Sequence, residues 1–293
     1  MPTMKSSHET KNVPDLAQVA LLRGLASTVA RQAGQLAAQM RNGTLQVAET
    51  KSTQFDVATD ADLACETLLR HEILRARPDD GILGEEGDSI AGSSGLTWVI
   101  DPIDGTTNFL YGLADWAVSV AVVAGPPADP IRWRPIAGSV YMPDLDTQYD
   151  AGLGLGTQRN GLELQTPAPG TPGRASELEA ALLAVGFSYD PTVRREQGLT
   201  VGYLAERARD LRNHGATAVE LCNVAAGTVD GYWEERLSPW DVAAGLLIAE
   251  EAGCTVRWQE RHSATGTELA LIACGEESLA REVSQTVARS LAT

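Results

Sequence analysis

The stretch from Trp98 to Phe109 reads Trp-Val-Ile-Asp-Pro-Ile-Asp-Gly-Thr-Thr-Asn-Phe and sets Asp101 and Asp104 three positions apart at the end of an apolar run. Trp98, Val99 and Ile100 have the continuity of a buried strand, which would deliver Asp101 at its carboxyl end. Pro102 has no N–H to give to a ladder, so the strand is expected to end there. Asp104-Gly105 predicts a tight turn, with Gly105 free to take a positive φ. A rigid corner carrying two carboxylates and the backbone amides of Gly105 and Thr106 suits a divalent cation and a phosphate oxygen together. Asp-Gly turns also close ordinary strand ends, so this stretch alone leaves both readings open.

Further acids stand in patterns of their own. Glu85 lies in Gly84-Glu85-Glu86-Gly87, and Asp241 lies in Trp240-Asp241-Val242-Ala243-Ala244-Gly245. Asp56, Thr59 and Asp62 follow Lys51. The four His (His8, His71, His214, His262) and four Cys (Cys65, Cys222, Cys254, Cys274) show no metal-ligand spacing, and the cysteines read as buried free thiols. Glu85, Asp101, Asp104 and Asp241 therefore predict an all-oxygen site for a hard cation, with Mg²⁺ the leading candidate.

Taken in order, these segments resemble the signatures of the inositol monophosphatase family of magnesium-dependent, lithium-sensitive phosphatases. The resemblance runs from about Asp15 to the C-terminus and implies a layered α-β-α-β-α sandwich of mixed α/β class. It implies that Glu85, Asp101 and the carbonyl of Ile103 hold one Mg²⁺, that Asp101, Asp104 and Asp241 hold a second, and that a third leans on Glu85 and water. Thr106, hydrogen-bonded to Asp62, would orient the attacking water. The amides of Gly105 and Thr106 would grip phosphate oxygens. Asp104, Thr217, Glu234 and Asp241 would meet the alcohol.

Ala216 stands where the family often has Ser or Thr, and Glu220 and Arg212 could compensate or be structural. Asp62 could equally be a helix N-terminal acid, with Asp60 its rival. Lys51 reads either as a loop cation near the phosphate or as a solvated surface residue, and Glu86 as structural. The implied activity is hydrolysis of a myo-inositol monophosphate, Asn108-Phe109 favouring that branch over histidinol phosphate, fructose 1,6-bisphosphate or 3′-phosphoadenosine 5′-phosphate. A non-catalytic, protein-binding member of the fold is a different class of reading. The resemblance also implies a homodimer.

Charge and composition agree with a cation-dependent site. The 293 residues carry 39 acidic against 23 basic groups, a net charge of −16, which repels nucleic acid and anionic lipid. A phosphorylated metabolite would be repelled too unless cations intervene. No apolar run is long enough to span a membrane, and the first 13 residues carry no apolar signal core, so a polar tail and a cytoplasmic location are expected.

Positioning these groups requires a mixed α/β scaffold. Apolar spacing predicts helices over 15–43 and 62–77, then strands at 81–84, 97–101, 116–123, 136–142 and 147–151. The Pro/Gly-rich stretch Thr166–Gly173 divides an N-terminal half, 14–170, from a C-terminal half, 171–293, that carries Asp241. The second half predicts strands at 181–187, 231–234, 254–258 and 269–274, with helices at 196–209, 218–228, 240–252 and from 276 onward.

Overall fold

The computed structural model describes residues 14–41, 47–50, 57–263 and 266–290; the tail 1–13, Lys51 and Asp56 lie outside the described residues. The chain runs α1 (Leu16–Arg41), β1 (Val47–Thr50), β2 (Val57–Thr59), α2 (Asp60–Ala76), β3 (Gly81–Gly84), β4 (Leu96–Asp104), α3 (Thr106–Tyr111) and β5 (Ala117–Ala124). It continues through β6 (Arg134–Met142), β7 (Thr147–Gly152), β8 (Gly156–Arg159), β9 (Leu162–Glu163), β10 (Leu182–Val185), α4 (Pro191–Ala205) and β11 (Asp210–Arg212). The last elements are α5 (Thr217–Ala226), β12 (Gly231–Glu235), α6 (Pro239–Glu251), β13 (Thr255–Ser263), β14 (Gly266–Cys274) and α7 (Glu277–Ser290).

Strands β3 to β9 form a seven-stranded sheet in chain order, parallel only between β3 and β4. A five-stranded sheet has the order β11-β10-β12-β14-β13. Helices α1 and α2 cover one face of the large sheet, α5 and α6 lie between the sheets, and α7 with α4 covers the outer face of the small one. The result is the layered α-β-α-β-α sandwich. No described helix is long and apolar enough to cross a membrane.

Both faces of the central strands are covered, which explains their unbroken apolar runs. In β4, Trp98 and Ile100 face the α1/α2 core while Val99 faces the α5/α6 core. In β5, Val118, Val120 and Val122 alternate in the same way with Ala117, Ala121 and Val123. The small residues of the second signature have a packing reason as well. A Cβ at Gly245 would sit 2.6 Å from Leu221 of α5, and one at Gly138 of β6 would sit 3.0 Å from Ala244 of α6. The core shared by α5 and α6 draws on residues from both sides of 170.

Three expectations are corrected. β4 does not end at Pro102: it continues to Asp104 through a register shift between Asp101 and Asp104. A proline is tolerated there because a bulged residue owes the ladder no hydrogen bond. Helix α4 starts five residues before the expected 196, because Asp190 caps it by accepting from the N–H groups of Thr192 and Val193 and Pro191 takes the first position. The short helix α3 and strands β1, β2, β8, β9 and β11 carry too few residues for a periodic pattern, and spacing did not foresee them.

Candidate functional site

Strand pairing brings the first two acids together. β3 and β4 are parallel with Gly84 opposite Ile100, so Glu85 and Asp101 follow side by side. The turn carrying Glu85 is held from behind by Glu66 of α2, whose carboxylate accepts from the N–H groups of Glu86 and Gly87, each at 2.8 Å. Arg70 braces Glu66 in turn at 2.7 Å. A Cβ at Gly84 would lie 2.6 Å from Glu66, so the glycine makes room for this brace. Glu86 contributes its backbone to the brace and does not line the cavity, in keeping with a structural role.

The bulge in β4 then aims Asp104. Gly105 takes φ +85°, turning the chain into α3, and Asp104 Oδ2 accepts from the Ala218 N–H at 2.7 Å in the first turn of α5. Asp241 comes from the other half, at the third position of α6, where Ser238 N–H donates to its Oδ2 at 2.7 Å in a reciprocal cap. Asp62 is held the same way at the start of α2: its Oδ2 accepts from the N–H of Thr59 at 2.8 Å and from the Thr59 hydroxyl at 2.5 Å.

Crowding these carboxylates on one cavity floor has an electrostatic cost. Asp101 is 1 % exposed, and burial, then the charges of Glu85, Asp104 and Asp241, push its carboxyl well above the usual carboxylate range. Asp241 is pushed up by burial and by Asp104 and Glu85. Asp104 is pushed up to about 7, burial outweighing the pull of the Ala218 amide. Like charges this close stay ionised together only when cations are inserted among them. The donor set is thus chemically fitted to hard divalent cations. Among the described residues no three His, Cys, Asp or Glu groups are already converged as a cage. The donors wait on separate element ends with short side chains, poised for ions that bring their own water.

The structure places Glu85, Asp101, Ile103, Asp104, Gly105, Thr106, Thr217, Glu234 and Asp241 on one cavity of about 570 Å³. Asp62 is not on its wall. It is fully buried at the helix start, whereas its rival Asp60 is exposed. The Thr106 hydroxyl donates to the Ile103 carbonyl, 3.2 Å away. That carbonyl, three residues back across the turn, is the local acceptor. Arg212 pairs with Asp210 at 2.7 Å and does not line the cavity, while Glu220 does.

The alcohol end is a buried network. Tyr232 donates its hydroxyl to Glu234, and Thr217 Oγ1 lies 3.2 Å from Glu234 and 3.1 Å from the Tyr232 oxygen. Burial pushes Glu234 up to about 7 against the pull of these hydroxyls. Tyr232 is a member that spacing did not foresee. Asn108 is another. Its amide donates to the carbonyls of Asp115 at 2.6 Å and His214 at 2.5 Å, clamping α3 to the Gly215-Ala216-Thr217 segment. Glu220 completes that clamp by accepting from the His214 backbone at 2.9 Å and lying 2.9 Å from its ring Nδ1, which raises the His214 pKa. No sequence signal pointed to the clamp, since Asn108 and His214 stand 106 positions apart.

A layered α/β enzyme scaffold with a carboxylate-floored cavity between its halves matches known proteins closely. The model of the inositol monophosphatase family covers residues 19–291. The chain is 39 % identical over 214 residues to the inositol-1-monophosphatase of Mycobacterium bovis, covering 70 % of each. It is 32 % identical to the Nus factor SuhB of Xylella fastidiosa, covering 89 % of this chain and 92 % of that one. The solved structure of Mycobacterium tuberculosis SuhB superposes with a TM-score of 0.72 at 34 % identity, covering 92 % of this chain and 97 % of that one. The protein belongs to the inositol monophosphatase family, a family of metal-dependent phosphatases.

Proposed function

We propose that the protein hydrolyses a phosphorylated polyol, with myo-inositol monophosphate as the leading substrate, and that it uses Mg²⁺. The observation that carries this reading is the floor of the cavity: Asp101, Asp104 and Asp241 with Glu85, all oxygen donors and mutually repelling, the first two buried and the other two half-buried. Two to three Mg²⁺ held by Glu85, Asp101, the Ile103 carbonyl, Asp104 and Asp241 would neutralise the phosphate, make water a stronger nucleophile and stabilise the departing alkoxide.

The chain's own groups do the rest. The amides of Gly105 and Thr106 fix phosphate oxygens at the turn. The Thr106 hydroxyl, positioned by Asp62 from behind the cavity wall, holds the attacking water in line and helps remove its proton. Glu85 offers the second acceptor for that proton. Thr217, Glu234 and Asp104 meet the hydroxyls of the polyol, whose ring needs acceptors on several sides.

Released phosphate is the test, measured at fixed Mg²⁺ on inositol 1-phosphate, histidinol phosphate and 3′-phosphoadenosine 5′-phosphate. The highest kcat/KM is expected for inositol 1-phosphate, and exhaustive chelation should abolish turnover on all three. Full activity after chelation would end the metal-dependent mechanism. The name of the Xylella fastidiosa relative motivates a second reading, a protein-binding role on this fold. The complete carboxylate set favours turnover, and activity in the same assay separates the two.

A further inference from the structure

One hydroxyl at the alcohol end has no packing explanation. Strand alternation puts Tyr232 and Glu234 on one face of β12 and Trp233 on the other, in the separate core beneath α7. Tyr232 is 1 % exposed, and its ring packs in the core shared with α5 and α6. A phenylalanine would fill the same place, and it would bury no polar atom. The hydroxyl that is buried there instead has two neighbours among the described hydrogen bonds. It donates to Glu234 Oε2 and lies 3.1 Å from Thr217 Oγ1. An unpaired hydroxyl at such a site is costly, so its partner defines its purpose.

The Glu234 carboxylate is confined as well as bonded. β10 and β12 are parallel with Val185 opposite Trp233, which brings Gly186 beside Glu234. A Cβ on Gly186 would overlap the carboxylate outright, so the acid lies against bare backbone. Thr217 Oγ1 donates to the same oxygen as Tyr232, Oε2, at 3.2 Å. Each hydroxyl has one proton, and both are spent on Oε2. Oε1 accepts no hydrogen bond from the described residues, although Glu234 lines the cavity. This corner therefore offers a ligand acceptors only: Oε1 and the lone pairs of Thr217. It suits a hydroxyl, which donates, and disfavours a carbonyl, an ether or a bare carbon at the same place.

We propose that Tyr232 is a specificity-determining positioning residue: its hydroxyl pins Glu234 through Oε2, so that Oε1 is presented to a donating hydroxyl of the alcohol. This deepens the phosphatase reading above and rests on it. Tyr232 takes no part at phosphorus. It governs which alcohols are held while their phosphate is removed, and it does so only through Glu234.

Tyr232→Phe tests it, because it keeps the ring in the core and deletes only the hydroxyl. Selectivity is read as the ratio of kcat/KM for inositol 1-phosphate to that for phenyl phosphate, at fixed Mg²⁺. The ratio should fall about tenfold in Tyr232→Phe. It should fall no further when Tyr232→Phe is added to Glu234→Ala, because the carboxylate through which the hydroxyl acts is already gone. A role in packing alone would lower both substrates together and would add to the loss in Glu234→Ala. Calorimetric binding of inositol 1-methylenephosphonate and benzylphosphonate repeats the cycle without turnover, since carbon in place of the bridging oxygen prevents hydrolysis. If the binding ratio behaves in this way while no phosphate is ever released, the assignment of Tyr232 stands and the phosphatase reading fails. If phosphate is released but the ratio is unchanged in Tyr232→Phe, or falls by the same factor with and without Glu234, Tyr232 is a core residue and the proposal is overturned.

Discussion

Replacing Asp104 by Asn should make the cation-free protein more stable while abolishing its activity. Asn keeps the shape of the side chain and still offers an oxygen to the Ala218 N–H, which Asp104 accepts at 2.7 Å. What it removes is a buried negative charge. In the folded protein Asp104 is raised from 3.8 to about 7, chiefly by burial, with Glu85 and Glu234 adding repulsion. A group whose folded pKa is raised leaves stability intact below its unfolded value and takes it away as pH climbs through the folded one. The window is therefore pH 4 to 7, and the loss amounts to roughly 2 kcal/mol by pH 5 and roughly 4 kcal/mol by pH 8. For a chain of this size that corresponds to a Tm about 8 °C higher for Asp104→Asn than for wild type at pH 8 in chelator. Thermal unfolding in EDTA at pH 5 and pH 8, repeated with saturating Mg²⁺, reads this directly. Mg²⁺ should raise the wild-type Tm more than the variant's, because the variant has one ligand and one buried charge fewer to be neutralised. The reasoning fails if Asp104→Asn is less stable than wild type at pH 8 in chelator, or if its advantage is no larger at pH 8 than at pH 5.

Three further outcomes are expected. Thr106→Ala should lower kcat at least about a hundred-fold with little change in KM, since its hydroxyl is assigned to water and not to substrate; a change in KM alone, in steady-state phosphate release, would contradict that. Glu234→Gln should lower kcat/KM for inositol 1-phosphate by roughly ten- to a hundred-fold while sparing an aryl phosphate without hydroxyls, and equal losses on both would assign Glu234 to the cation site instead. Asn108→Ala strips the donor from two carbonyls at once, so a stability loss of about 2–4 kcal/mol is expected by denaturant unfolding, with kcat and KM both impaired as α3 and the Thr217 segment come apart.

The acids of the floor were legible in the chain because each sits in a short local pattern whose geometry is set by its neighbours. Asp101 ends an apolar strand, Gly105 supplies the left-handed turn after Asp104, and Asp241 occupies the third position of a capped helix. The two sheets and their covering helices were legible for the same reason, since a side-chain period of two or of about three and a half is written in consecutive residues. Where local chemistry had a rival, tertiary burial decided: Asp62 is fully enclosed and Asp60 is exposed, although both begin the same helix. Pro102 misled because a bulge relieves it of the ladder bond it cannot make. Thr217 and Glu234 were expected by resemblance, whereas Tyr232 between them and the Asn108 clamp on the His214 carbonyl had no signature. The clamp joins residues 106 positions apart, and Tyr232 reaches Thr217 only once β12 packs beside α5. Local stereochemistry therefore determined which groups could hold cations, whereas the meeting of β10, β12, α3 and α5 decided what surrounds the alcohol, because contacts between remote segments exist only once the core that joins them has closed.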